Sequence, residues 1–158
     1  MKRGTTGNAR VRVKAAPEVL YDLVSDVTRM GEWSPETVRC QWIDGATGPA
    51  TGARFKGTNR RGFIRWSTKP EVVAAERGRE FSFVTHSAGP STRWTYRFEN
   101  GPEGETELVE SFEALDDDSA LLTMIERYVM RIRDRKADLE EGMQRTLDRI
   151  KAVAEAIN

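Results

Sequence analysis

The sequence predicts an α+β chain in which a curved antiparallel sheet is closed over by a helix, and three observations predict it. Six short alternating segments lie between residues 38 and 114, joined by connections rich in glycine, proline and asparagine. A seventh alternating segment lies near the N-terminus. After residue 119 the hydrophobic period changes from two to about 3.6 and keeps its phase to the end of the chain.

The first strand is expected at residues 9–14, where Val11 and Val13 alternate with Arg10, Arg12 and Lys14. Pro17 suits the first turn of a helix, and Leu20, Leu23, Val24 and Val27 recur at helical spacing, so a short helical pair is expected through Arg29. Trp33 and Pro35 follow in an irregular stretch where a large ring needs cover. Strands are then expected at residues 38–44, 53–59, 63–73, 80–86, 92–99 and 106–114. The turns between them, such as Arg60-Arg61-Gly62 and Ser87-Ala88-Gly89-Pro90, are short enough to demand antiparallel neighbours. From Ser119 an apolar stripe runs through Leu121, Met124, Ile125, Tyr128, Ile132, Leu139, Met143, Thr146, Ile150, Val153 and Ile157. One straight helix of that length would reach about 57 Å, too long for a domain of this size. A break is expected within the charged residues 133–138, with Asp138 as N-cap and Glu141 at N3 of the last helix. Gly142 sits at the edge of the stripe, where a ligand or a close strand would explain it.

Composition bounds the function. The 158 residues suit one domain spanning 1–158, and 25 basic side chains balance 25 acidic ones, so no net field draws nucleic acid or an anionic membrane. Cys40 is the single cysteine and His86 the single histidine, so disulfides, cysteine-based metal centres and His-based triads have no material; no cofactor and no metal are expected. No glycine-rich phosphate loop is present. The N-terminus lacks an apolar signal core and no apolar run is long enough to span a bilayer, which reads as a cytoplasmic protein without stable membrane insertion. Asp116-Asp117-Asp118 reads as a solvated run that caps the following helix.

Strand parity marks an inner face: Val38, Cys40 and Trp42; Phe55, Gly57 and Asn59; Ile64, Trp66 and Thr68; Phe81, Phe83 and Thr85; Trp94, Tyr96 and Phe98; Leu108, Glu110 and Phe112. Aromatic walls with few polar groups are the composition of a small-molecule site, and equally that of a packed core. The residues expected around a ligand are Trp33, Trp42, Phe55, Asn59, Ile64, Trp66, Phe83 and Thr85, with Trp94, Tyr96, Glu110, Phe112, Tyr128, Gly142 and Met143. Glu110 is the sharpest of them. A carboxylate between Leu108 and Phe112 on an inner face has its pKa raised and can act as a general acid or base, or anchor a ligand hydroxyl; a structural pair with an arginine, or a bulge that returns the side chain to solvent, is the plain alternative. Asn59 and Tyr96 are the candidate donors toward a carbonyl oxygen, though Asn59 can simply shape its turn.

The run Leu23-Val24-Ser25-Asp26-Val27-Thr28-Arg29-Met30-Gly31-Glu32-Trp33-Ser34-Pro35-Glu36, followed by Gly57-Thr58-Asn59-Arg60-Arg61-Gly62 and Trp66-Ser67-Thr68, resembles the polyketide cyclase/dehydrase and lipid-transport branch of the START-like (SRPBCC) superfamily, in a small bacterial, actinobacterial-type member. The resemblance spans nearly the whole chain. It implies a helix-grip fold like that of START domains and birch-pollen allergens, with a seven-stranded antiparallel sheet around a long C-terminal helix and a deep hydrophobic cavity. It implies binding or carriage of a lipid, fatty acid or polyketide-like molecule. The alternatives are a polyketide cyclase or dehydratase with Glu110, Asn59 and Tyr96 in the chemistry, and a protein-interaction module of the co-chaperone or toxin-like kind. The segment 119–133, with Leu121, Leu122, Tyr128, Val129 and Met130, serves as either a lid or an interface, and a monomer or homodimer is expected.

Overall fold

In the computed structural model, which describes residues 1–86 and 90–157, the strands are β1 (Thr6–Val13), β2 (Thr37–Ile43), β3 (Arg54–Arg61), β4 (Ile64–Thr68), β5 (Glu71–Glu76), β6 (Glu80–Thr85), β7 (Thr92–Asn100) and β8 (Thr106–Ala114). The helices are α1 (Pro17–Val24), α2 (Ala120–Tyr128) and α3 (Arg135–Ile157). The expected turn Ser87-Ala88-Gly89-Pro90 lies largely outside the described residues. All strand pairs are antiparallel, in the order β1-β8-β7-β6-β5-β3-β2, and the sheet curls around α3.

One strand was expected over residues 63–73 where there are two. Pro70 has no N–H to give a ladder, and the chain turns there from one partner to another. β4 pairs with the outer half of β3, Gly57 to Arg61, whereas β5 meets β3 only at Arg54 and pairs with β6. The sheet path therefore keeps its seven positions and β4 stands off it as a flap. The β3–β4 turn closes at Gly62, whose φ of 61° suits glycine. A second departure is in β2. The register shifts between Thr37 and Arg39, so Thr37 takes the inward place opposite Asn59 and Val38 is thrown outward, 57% exposed. This is the side-chain reversal that a bulge imposes.

The helical pair after Pro17 is α1 followed by a 3₁₀ helix at Val27–Glu32, capped by Asp26 accepting from the Thr28 amide. The second pair breaks earlier than the charge run suggested. Ser119 caps α2 through the Leu122 amide, and the chain leaves α2 with left-handed backbone at Arg131 (φ 58°). The side chain of Asp134, not Asp138, accepts from an amide of the first α3 turn, that of Ala137 at 3.1 Å. Asp138 is already inside the helix and its carboxylate is engaged elsewhere. The acidic run is more than solvated: Asp116 and Asp117 accept from the backbone amides of Ser91 and Arg3. Four residues of the apolar stripe, Leu121, Met124, Tyr128 and Ile157, face solvent.

At 23 residues, α3 is about 34 Å long and lies across the concave face, burying Leu139, Met143, Leu147, Ile150 and Ala154. It also covers the sheet edge. β1 pairs only with β8, and its other edge is satisfied by α3 side chains: Glu140 accepts from Asn8 N–H at 3.3 Å, Lys151 donates to the Arg12 carbonyl at 2.7 Å, and Glu155 accepts from Lys14 N–H at 2.9 Å. The packing is tight at Gly7, where an added Cβ would stand 2.6 Å from a Phe112 ring carbon and 3.0 Å from Glu140 Cγ. Because Phe112 is core and has nowhere to move, Gly7→Ala is expected to cost roughly 1–3 kcal/mol of stability, read by chemical unfolding.

Candidate functional site

The inner face of the sheet divides in two along its strands. At one end Phe81, Phe98 and Leu108 pack with Tyr21 of α1, Tyr21 meeting Phe81 and Phe98 edge-on at 6.3 and 5.7 Å. That end is solid core. At the other end the same face lines a cavity of about 750 Å³ between the sheet, α2 and α3. The core reading and the cavity reading of the inward set are thus both realised, in different places.

Eleven of the fifteen residues expected around a ligand line this cavity: Phe55, Asn59, Ile64, Trp66, Phe83, Thr85, Trp94, Tyr96, Glu110, Gly142 and Met143. Four do not. Trp33 is 1% exposed within the core, with the Arg29 guanidinium over its ring and its carbonyl accepting from Arg149 of α3. Trp42 stacks edge-on behind Phe55 at 5.6 Å, and Phe112 sits behind Trp94 at 5.8 Å, so both support the wall from the second layer. Tyr128 is 72% exposed on the outside of α2. Of α2, it is Leu122, Ile125 and Glu126 that line the cavity.

The polar groups of the wall include one set around Glu110 and another of charged side chains. Glu110 and Tyr96 are direct cross-strand partners on β8 and β7, which puts the phenol against the carboxyl in a hydrogen bond. Both are buried. Burial pushes the Glu110 carboxyl up to about 8, with the Tyr96 bond pulling weakly the other way, and pushes the Tyr96 phenol well above its usual value. Oε2 of Glu110 has no hydrogen-bond partner and is the sole buried side-chain oxygen or nitrogen so placed among the described residues. No arginine neutralises it, so the structural pairing that was its plain alternative is absent. Asn59 accepts the Thr37 hydroxyl at 2.9 Å, leaving its amide N–H groups as what it offers the cavity. Cys40 also lines the wall, but burial alone raises its thiol to about 12, which makes it inert as a nucleophile. His86 is exposed and outside the cavity.

Sequence reasoning missed the charged wall. Arg61 at the end of β3 forms a fork on Asp138 of α3, at 2.8 and 3.0 Å, and reaches Glu36 at 3.3 Å. Arg135 bonds Glu36 at 3.1 Å and Asp138 at 2.8 Å and pairs with Glu126 of α2 at 3.2 Å. All five line the cavity. Two arginines thereby tie the loop before β2, the β3–β4 hairpin, α2 and α3 into one latch. Arg135 and Asp138, three apart beside the apolar stripe, were the signal available; their partners lie far off in sequence. The lining residues open to solvent are Pro35 before β2, Arg60, Gly62 and Ser67 near the hairpin and Arg145 on α3, so the cavity opens on that side.

No group of acidic, histidine or cysteine side chains suited to a metal ion occurs among the described residues. The outward arginines are partly paired across the sheet, Arg93 with Glu113 at 3.5 Å and Arg97 with Glu80 at 3.4 Å.

Comparison with known proteins agrees with this geometry. A profile of the family described as "Polyketide cyclase / dehydrase and lipid transport" matches residues 5–155. A polyketide-cyclase-like protein from Corynebacterium glutamicum, solved in solution, is 31% identical, with a TM-score of 0.63 over 99% of this chain and 95% of that one. A START superfamily protein from Mycobacterium smegmatis has the same fold at 12% identity, with a TM-score of 0.69 over 98% of this chain and all of that one. So has the major latex-like protein 151 of Panax ginseng, at 14% identity and a TM-score of 0.68 over 96% and 99% of the two chains. No curated protein matches the sequence. With the match covering almost all of its length and the fold agreeing, the chain belongs to the polyketide cyclase/dehydrase and lipid transport family.

Proposed function

We propose that the protein binds and carries a hydrophobic small molecule bearing one oxygen-containing polar group, held in the cavity with that group against Glu110. The observation that supports this most directly is the unpaired Glu110 Oε2 at the wall of a cavity of about 750 Å³ whose aromatic lining includes Phe55, Trp66, Phe83 and Trp94. A volume in this range suits a single drug-sized or acyl ligand. With its pKa near 8 the carboxyl is mainly protonated at neutral pH. It then donates to a carbonyl or hydroxyl oxygen, and the ligand relieves a buried group that is otherwise unsatisfied.

A second reading has its own observation. A buried carboxyl titrating near 8, hydrogen-bonded to a tyrosine in a cavity that Asn59 also lines, is equipped to move a proton at a carbon beside a carbonyl. In that reading Glu110 transfers the proton and Tyr96 or Asn59 polarises the carbonyl, as an aldol cyclisation or dehydration requires. Turnover that persists unchanged in Glu110→Gln would remove Glu110 from this role.

Native mass spectrometry of gently purified protein, compared with its denatured mass, tests the binding reading. A stoichiometric apolar compound is expected, and a protein that stays bare after incubation with host lipid extract would overturn it. Gly142 supplies the control. An added Cβ there touches only Pro35 Cγ, at 3.6 Å, so Gly142→Ala is expected to stabilise the empty protein by about 1 kcal/mol through helix propensity. Gly142→Phe projects a ring into the cavity and is expected to lower ligand occupancy by about tenfold or more, the scale of losing roughly 1.4 kcal/mol of contact.

A further inference from the structure

We propose that the rim of the cavity, formed by the β3–β4 hairpin and the outer side of α2, is a docking surface for an anionic lipid bilayer. Two independent observations converge on it. Of the nine large hydrophobic side chains most open to solvent among the described residues, five are on these two segments: Phe63 at 86%, Tyr128 at 72%, Leu121 at 62%, Met124 at 51% and Val129 at 45%. On residues 60–65 and 120–133, every exposed charged side chain is an arginine: Arg60, Arg65, Arg127, Arg131 and Arg133. The one acid there, Glu126, is buried and paired with Arg135.

The hairpin and α2 both line the cavity, and they are joined across it by the chain of ion pairs Arg61–Asp138–Arg135–Glu126. On α2 the stripe Leu121, Met124 and Tyr128 is turned about 120° from the side formed by Leu122, Ile125 and Glu126. The apolar arc of the helix is therefore wider than the cavity consumes, and the surplus faces water. Apolar side chains ringed by arginine match the interface of an anionic leaflet, where the rings enter the acyl boundary and the guanidinium groups stay among the head groups. Balanced charge over the whole chain conceals this segregation. The nearest exposed acids, Asp116, Asp117 and Asp134, are three against the five arginines, so a positive excess remains. The cavity opens beside the hairpin, so docking of this rim sets the opening against the bilayer, which links the surface to the binding function proposed above.

Sedimentation with vesicles tests the assignment on the whole protein. Binding is expected to vesicles of phosphatidylcholine mixed with phosphatidylglycerol, to be weak on phosphatidylcholine alone, and to fall with added salt. Each neutralised arginine should weaken partitioning roughly fivefold, so Arg127→Gln with Arg133→Gln should lose about 25-fold. Leu121→Ser with Tyr128→Ser should abolish binding with thermal unfolding unchanged, since both side chains are exposed. No binding to the anionic vesicles at low salt, or equal binding by these variants, would overturn the proposal. So would light scattering that shows a dimer dissociated by the Leu121 and Tyr128 changes, because the patch would then belong to a second copy. Cargo binding is read separately by native mass spectrometry, so failure of one proposal is distinguishable from failure of the other.

Discussion

Between about pH 4.5 and about pH 8 the stability of the empty protein is expected to carry a downward slope of one proton that Glu110→Gln removes. The sign follows from where the proton sits. The folded state holds it on the buried carboxyl up to about 8, whereas the unfolded chain releases it near the ordinary 4.5. Through that window the native state binds more protons, so stability falls as pH rises; below the window both states are protonated, and above it both are ionised. The full effect is on the order of a few kcal/mol. Glutamine keeps the shape and an acceptor for the Tyr96 hydroxyl but cannot ionise, so the variant should be more stable than the parent above about pH 8. Urea unfolding across this range checks it. Parallel curves for the two proteins would mean that Glu110 is charged in the fold and that the cavity is wetter at Oε2 than its burial indicates. A bound neutral ligand that accepts from the carboxyl should extend the same slope above pH 8, since it favours the protonated form further.

Arg135→Met is expected to destabilise the protein by about 3 kcal/mol, a fall in Tm of roughly 6–12 °C. Arg135 is shared by Glu36, Asp138 and Glu126, and its side chain is 19% exposed. Removing it leaves three carboxylates around one arginine, Arg61, in a partly desolvated space. The Glu126 carboxyl is already raised, first by burial, against the pull of Arg135. Without that pull it rises further. The deficit should therefore shrink as pH falls through the carboxylate range and the acids neutralise, which distinguishes lost charge compensation from lost packing. A deficit that stays constant with pH would show that Arg135 acts only by filling space. Arg135→Lys should recover part of the loss, because it restores the charge without the planar fork that meets several acids at once.

The fold could be read closely from the chain because its causes are local. Alternation in residues 9–14 and 106–114, helical spacing after Ser119, and glycine and proline between strands act over a few residues. Parity then placed Phe55, Trp66, Trp94 and Glu110 on the inner face, since the side-chain period of a strand is two regardless of its partners. Where that logic failed, a break in pairing intervened: the bulge between Thr37 and Arg39 turned Val38 outward, and Pro70 divided one expected strand between two partners. Trp33 and Phe112 were misplaced for another reason. Both are buried, and only three-dimensional packing decides whether a buried ring meets a neighbour or an empty space.

What the sequence determined by itself was therefore the order of elements, the side of each strand that turns inward, and the presence of one carboxylate among apolar neighbours. The tertiary structure alone decided where the inner face ceases to be core and becomes cavity, and that Glu110 finds Tyr96 but no arginine. It also assembled the latch, whose ion pairs join Arg61 to Asp138 across 77 residues and Arg135 to Glu36 across 99. Periodicity carries local geometry along the chain, but the partner of a charge is fixed by which surfaces the closing of the sheet over α3 brings together, and no local pattern encodes that distance.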